Sequence, residues 1–399
     1  MKNRWIVLIA GIVIQTILGG IYAWSIFEPP LVDGYGLTKG QCGSVFGLAV
    51  AVFTVSMIAG GRVLSARGPR LTALIGAVLY LAGYAVAAAS GGNYMLLVLG
   101  VSILSGAGIG FGYVCPLTVG MQWFPKYKGL ITGVSVAGFG GGAIILSSLA
   151  AHFLKGGMDV LTFFGWISGV AGGLLIVGAL ALAVPEGTGR SATVRSVRGD
   201  LFTWAFALSL FGIFTGTFAG LLVIGNLTPI VLNAGLSVPL AATAVSVFAV
   251  GNAAGRIIWG FLFERIRYRS IPASLACFAV VLLLLSVSSA PWLILLCAGL
   301  LGFGFGANFV IYASALSSHF HVDSFPRLYP ICFLGYGLAG VIGPGIGGYL
   351  ADVTGNYDVA LGVSTAMVAV AGLVTAFGIR VFATRPAPNQ VPLVQPKTG

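Results

Sequence analysis

Twelve long apolar runs divide this chain, and they decide what it can fold into. They cover roughly residues 5–28, 43–64, 71–90, 95–122, 129–153, 161–184, 201–231, 238–263, 271–289, 291–317, 328–351 and 358–382. A hydrocarbon layer about 30 Å thick is crossed by about 20 apolar residues in a helix. Inside lipid every backbone N–H and C=O must find its partner within the segment, so each run is expected to be helical. Composition agrees: 58% of residues are hydrophobic and 7% charged, against about 25% charged in soluble domains. The first run follows the basic stretch Met1 to Arg4 but is too long and aromatic for a signal peptide, and it reads as a retained helix.

The formal net charge of +11 does not indicate nucleic acid, because of where the charges fall. With a cytoplasmic N-terminus, one side holds Lys2, Arg4, Arg62, Arg67, Arg70, Lys126, Lys128, Arg190, Arg195, Arg198, Arg265, Arg267, Arg269, Arg327, Arg380, Arg385 and Lys397, and the other only Lys39 and Lys155. The positive-inside rule then places both termini in the cytoplasm. Cys42, Cys115, Cys277, Cys297 and Cys332 lie mostly within runs and lack C-x-x-C spacing, so neither a disulfide framework nor a metal site is expected. No P-loop pattern is present, and the glycines of GAGIGFG lack dinucleotide-binding spacing. No cofactor and no catalytic constellation are expected.

The chain also repeats itself. The longest polar connection, Val184 to Asp200, follows the sixth run. An offset of 199 pairs Pro30 with Pro229, Gly36-Leu37-Thr38 with Gly235-Leu236-Ser237, and Gly61 with Gly260. Later, Gly108–Gly112 (GIGFG) parallels Gly302–Gly306 (GFGFG), and Gly138–Gly140 (GFG) parallels Gly335–Gly337 (GYG). Two parallel six-helix repeats are an alternating-access arrangement with the site at the midplane between them. The expected fold is an all-α membrane protein with twelve transmembrane helices in two pseudo-symmetric six-helix bundles, 1–184 and 201–382. A cytoplasmic linker (185–200) and a cytoplasmic tail (383–399) complete the chain.

A glycine motif with charges after the second span of each half resembles that of the major facilitator superfamily. Gly260, Glu264 and Arg265 stand in register with it, whereas Ser65 and Ala66 replace the acidic–basic pair in the first half. The resemblance implies a gate at Gly260, Glu264 and Arg265. More narrowly, GGIYAWSIFEPPL, GAGIGFGYVCPL and QWFPKYKGLITGVSVAGFGGGAI resemble the oxalate:formate antiporter group and its monocarboxylate-carrying relatives.

Arg256 is the residue most at odds with its surroundings. An arginine near a helix centre costs about 2.5–3.5 kcal/mol by insertion scales, and all nine acids lie at run ends or in loops. Its planar fork suits a carboxylate, and Asn252 lies one turn earlier on the same face. The alternative is a structural ion pair or a snorkelling anchor. Gly251 and Gly255 are expected to serve helix packing. In oxalate carriers of the group, the resemblance implies an arginine on the eighth helix and a lysine on the eleventh. Here no lysine occurs in Leu328 to Gly337, and Cys332 or a neighbour holds that level. One cation without a second suits a monocarboxylate better than a dianion.

Tyr22, Tyr113, Asn308, Tyr312 and Phe333 are the further expected lining residues, alongside Arg256, Asn252 and Cys332. His152, His319 and His321 read as boundary residues, and Glu28 and Asp352 as rim charges. The expected function is a secondary carrier of a lactate- or pyruvate-like monocarboxylate with a proton. It would work as a monomer in the lipid bilayer of a bacterial inner membrane. A carboxylate exchanger and a non-transporting carboxylate sensor are the competing readings.

Overall fold

The computed structural model describes residues 3–185, 197–320 and 322–383. In the first half α1 spans Arg4–Ile26, α2 Lys39–Arg67, α3 Pro69–Ala88, α4 Tyr94–Trp123, α5 Lys128–Lys155 and α6 Val160–Ala181. In the second half α7 spans Trp204–Asn233, α8 Val238–Ile266, α9 Ser270–Ser286, α10 Pro291–His319, α11 Phe325–Thr354 and α12 Asp358–Gly378. α1 tightens to a 3-10 helix over Gly20–Ile26, and α4 and α6 contain π-helical segments at Val98–Ser105 and Ile167–Ala171. Among the described residues eleven stretches are long and apolar enough to cross a membrane; one of them, Pro239–Ser286, takes in both α8 and α9. The twelve expected runs are therefore twelve helices, and no strand occurs among the described residues. Most of the linker (186–196), the tail (384–399), Lys2 and His321 lie outside them.

Local chemistry sets the helix ends. Thr38 and Gln41 form a reciprocal capping box that starts α2 before its apolar run begins. Gly68, at φ 86°, ends α2, and Pro69 starts α3 at once. The reversal between α8 and α9 turns on Arg267 at φ 52°, a non-glycine residue in a conformation that favours glycine.

Because the helices alternate in direction, their basic ends collect on one face. Arg4, Arg67, Arg70, Lys128, Arg265, Arg267, Arg269, Arg327 and Arg380 mark this basic face, and Glu28, Asp33, Asp159, Asp352 and Asp358 lie at the other. The glycine repeats pack as helix contacts. Gly108 meets α3 at Gly76 and Gly110 meets α2 at Phe53, while Gly302 meets α8 at Phe248 and Gly304 meets α9 at Phe278. α4 and α10 thus hold equivalent places, each central to its own half.

The halves join along two seams. α2 meets α11, where a Cβ on Gly61 would collide with the Pro326 carbonyl oxygen, and one on Gly337 would lie 2.7 Å from Thr54 Oγ1. α5 meets α8, where Gly129 and Gly260 oppose each other with 2.5 Å left for a Cβ. Gly61, Gly129 and Gly260 all lie near the basic face, so the halves are shut there.

Two outcomes follow from this packing. Gly61→Ala inserts a methyl into a closed seam and should lower the melting temperature, by about 1–3 kcal/mol of overpacking. Gly47→Ala on the same helix, with open space around it, should not. Differential scanning fluorimetry of the detergent-solubilised pair distinguishes them.

At the opposite face the Tyr35 hydroxyl donates to Asp159 Oδ1 at 2.6 Å, and Asp159 caps α6 through the Leu161 and Thr162 N–H groups. Partial burial opposes ionisation of Asp159, but the Tyr35 hydroxyl and these backbone donors outweigh it and hold its pKa below the usual value. The same bond pushes the Tyr35 phenol up to about 12. A depressed carboxylate stabilises the fold above its unfolded pKa of about 3.9, and this contribution is lost as pH falls through the folded value. Tyr35→Phe should therefore be less stable than the parent at pH 7, with the gap closing below the carboxylate range.

Candidate functional site

Arg256 lies ten residues from the basic end of α8, about 15 Å along the helix. It does not snorkel. Its side chain is only 2% exposed, and it crosses sideways into the space between the halves. Nε donates to Asn252 Oδ1 at 3.2 Å, one turn earlier on the same helix. Nη1 donates to the Val136 carbonyl of α5 at 2.6 Å. The guanidinium carbon stands 4.6 Å from the ring centre of Phe309 on α10, within cation–π range. Among the described residues it makes no ion pair with a carboxylate.

Around this cation lies a cluster of rings from both halves. Tyr22, Tyr113, Tyr329 and Tyr336 are near enough to interact with it electrostatically. Tyr113 meets Phe139 edge-on at 5.0 Å, Phe333 at 5.4 Å and Phe53 at 5.4 Å. Phe333 also contacts Tyr336 at 4.9 Å and Tyr329 at 5.4 Å. The hydroxyls of Tyr22 on α1 and Tyr336 on α11 hydrogen-bond to each other across the halves. Gln15 Nε2 donates to the Tyr113 carbonyl at 3.0 Å, which ties α1 to α4 just before Pro116.

The residues expected from sequence divide into two groups. Asn252, Tyr113, Tyr22 and Phe333 surround Arg256. Asn308 and Tyr312 instead turn toward α7: a Cβ on Gly216 would collide with the Asn308 amide, and one on Gly212 with the Tyr312 hydroxyl. Asn308 Nδ2 donates to carbonyls of its own helix, at Gly304 and Phe305. Cys332 is buried beside Tyr312 and Tyr329. Phe309, about 100° around α10 from Asn308, is the residue that faces the cation. Phe139, Tyr329, Tyr336 and the Val136 carbonyl are further members of the cluster. Phe139 and Tyr336 are the central residues of the paired GFG and GYG stretches, which is the sequence signal that marks them.

Below the cation, toward the basic face, the α5–α8 seam carries charge. Glu264 Oε1 accepts from the Gly129 N–H at the start of α5, a favourable place for an anion. Arg267 Nη1 lies 4.0 Å from Glu264 Oε2. Lys128 Nζ donates to the Ser317 carbonyl near the end of α10 at 2.9 Å. Gly260 lets α8 approach α5. Arg265 is exposed and stands over Phe261 of its own helix at 4.5 Å; Arg267 and Lys128 flank Glu264 in its place. On the α2–α11 seam Ser65 bonds back to the Gly61 carbonyl.

The comparisons with known proteins agree with this architecture. The model described as Major Facilitator Superfamily matches residues 206–397. The oxalate:formate antiporter of Oxalobacter formigenes is 26% identical over 88% of this chain and 86% of its own length. Human monocarboxylate transporter 11 is 25% identical over 88% of this chain and 78% of its own. Apicoplast pyruvate carrier 1 of Toxoplasma gondii is 26% identical over 71% of this chain and 64% of its own. Among solved structures, the transporter FucP in the outward conformation superposes with a TM-score of 0.72 at 15% identity, covering 93% of this chain and 98% of FucP. The proton:xylose symporter XylE gives 0.73 at 14% identity, over 94% and 95%. The chain has the major facilitator fold, its second half matches that superfamily's own model, and along most of its length it is similar to the oxalate:formate antiporter and to monocarboxylate transporters.

Proposed function

We propose that this transporter carries a small monocarboxylate of the lactate or pyruvate class together with a proton, by rocking its two halves about the site at Arg256. The observation that carries the reading is the buried guanidinium, answered by an amide oxygen, a carbonyl and ring faces, with no carboxylate of its own among the described residues. Neutral dipoles leave a buried cation undercompensated, and a mobile anion completes it. α11 brings aromatic side chains and no lysine to the cluster, so there is one cation for one carboxylate. Ring edges of Tyr113, Phe333 and Phe139 suit a short alkyl or keto group, and tyrosine hydroxyls suit the carboxylate or a 2-hydroxyl. Cotransport of a proton keeps the step electroneutral. The relatives named for pyruvate and monocarboxylates support this substrate class. The basic face is cytoplasmic in this reading. The halves 1–184 and 201–382 move as units within the inner membrane, and the carrier works as a monomer.

Arg256→Lys preserves the charge and removes the planar fork. A charge-assisted hydrogen bond contributes about 1.5–3 kcal/mol, so affinity for lactate should fall about 10–100-fold. Uptake of labelled lactate by proteoliposomes measures this. Near-full transport by the variant would remove Arg256 from the site. Uptake should also rise when the lactate-containing side is made acid. Counterflow that requires internal carboxylate and ignores the pH gradient would replace symport with exchange.

A further inference from the structure

The guanidinium that offers a seat to an anion is also bound to the opposite half. Arg256 belongs to α8 and Val136 to α5, so the bond from Nη1 to the Val136 carbonyl spans the α5–α8 seam. The contact needs a residue no larger than alanine at position 140, where Gly140 stands one turn further along α5. An added Cβ would lie 3.4 Å from Nη1 and 3.5 Å from Cζ, in ordinary contact; a branch beyond it would occupy the place of the guanidinium.

A two-pronged grip on a carboxylate uses one edge of the fork, either Nε with Nη2 or Nη1 with Nη2. Nε is engaged by Asn252 and Nη1 by Val136. Nε has a single N–H, so a carboxylate on the side-on edge displaces Asn252. On the end-on edge the carboxylate and the Val136 carbonyl share Nη1, one on each of its two N–H groups. There the anion weakens the bond that ties the halves together, by repelling the carbonyl oxygen and drawing the fork toward itself.

We infer that Arg256 is a clasp between the halves which the arriving carboxylate releases, and that Gly140 is the positioning residue that makes the clasp possible. This rests on the reading that Arg256 seats a carboxylate. The coupling is reciprocal: an anion that binds better when the Val136 bond is broken favours parting of the seam, and parting of the seam favours the anion. The cargo is thereby part of the lock.

The test uses the full chain in lipid nanodiscs, with the exposed Cys277 replaced by serine. Spin labels at positions 62 and 327 face each other across the α2–α11 seam at the basic face. Distances are measured with and without lactate in the parent and in Arg256→Gln, Gly140→Ala and Gly140→Val. Without lactate, the parent and Gly140→Ala should show mainly the short distance, and lactate should shift both toward the long one. Arg256→Gln and Gly140→Val should be shifted toward the long distance before lactate is added. Wild-type distances in both variants without lactate would overturn the clasp. So would lactate that binds the parent, by calorimetry, without moving its distances. If lactate does not bind the parent at all, the carboxylate reading falls and release by this cargo falls with it. The distances without ligand then still decide whether the Arg256–Val136 bond holds the halves together.

Discussion

A cation buried between the two halves, and answered only by dipoles, is the constraint on which the rest of this structure depends. Placing arginine at this depth costs about 2.5–3.5 kcal/mol by insertion scales. The protein offsets this with an amide on the same helix, a carbonyl on α5 and a ring on α10. None of these carries a negative charge, so the cation's charge is met by dipoles and ring faces alone. Because the partners come from both halves, the electrostatics of the cation and the packing of one half on the other meet at the same atoms.

The rings around the cation have two consequences. They fill the space between α1, α2, α4, α5, α10 and α11 with apolar surface, which excludes water and strengthens any charge interaction made there. Their polar edges are hydroxyls, which add hydrogen-bonding groups to the cluster without adding a fixed charge. The pseudo-symmetry appears in detail here: Phe139 and Tyr336 are repeat partners, and both contribute to the cluster. At the position related to Arg256 by the offset of 199, the first half has the fully buried Met57. Of the two positions related by the repeat, one is apolar and the other ionic.

The helix count and the depth of Arg256 in its helix were legible in the sequence because each depends on composition along the chain. A charge in an apolar run stands out, and Asn252 one turn away shares its face. The rotation of each helix about its axis was not legible. α10 is apolar around nearly its whole circumference, so its sequence has no polar stripe to show which side faces the centre. Asn308 and Tyr312 drew attention as polar groups, yet they pack on glycines of α7, and the apolar Phe309 meets the cation. The Val136 carbonyl was invisible for another reason, since every residue has one. What singles it out is the missing side chain at Gly140.

The two seams at the basic face are related by the repeat but held by different forces. Along α2 and α11, Gly61 lies against the Pro326 backbone, a fit of shapes beside which Arg62 and Arg327 set two like charges. Along α5 and α8, Glu264 meets a helix N-terminus, Lys128 meets a helix C-terminus and Arg267 stands beside Glu264. Such contacts weaken when ions screen them or water reaches them. Salt therefore acts in opposite senses on the two seams: it weakens the charged contacts along α5 and α8 and relieves the repulsion between Arg62 and Arg327 along α2 and α11.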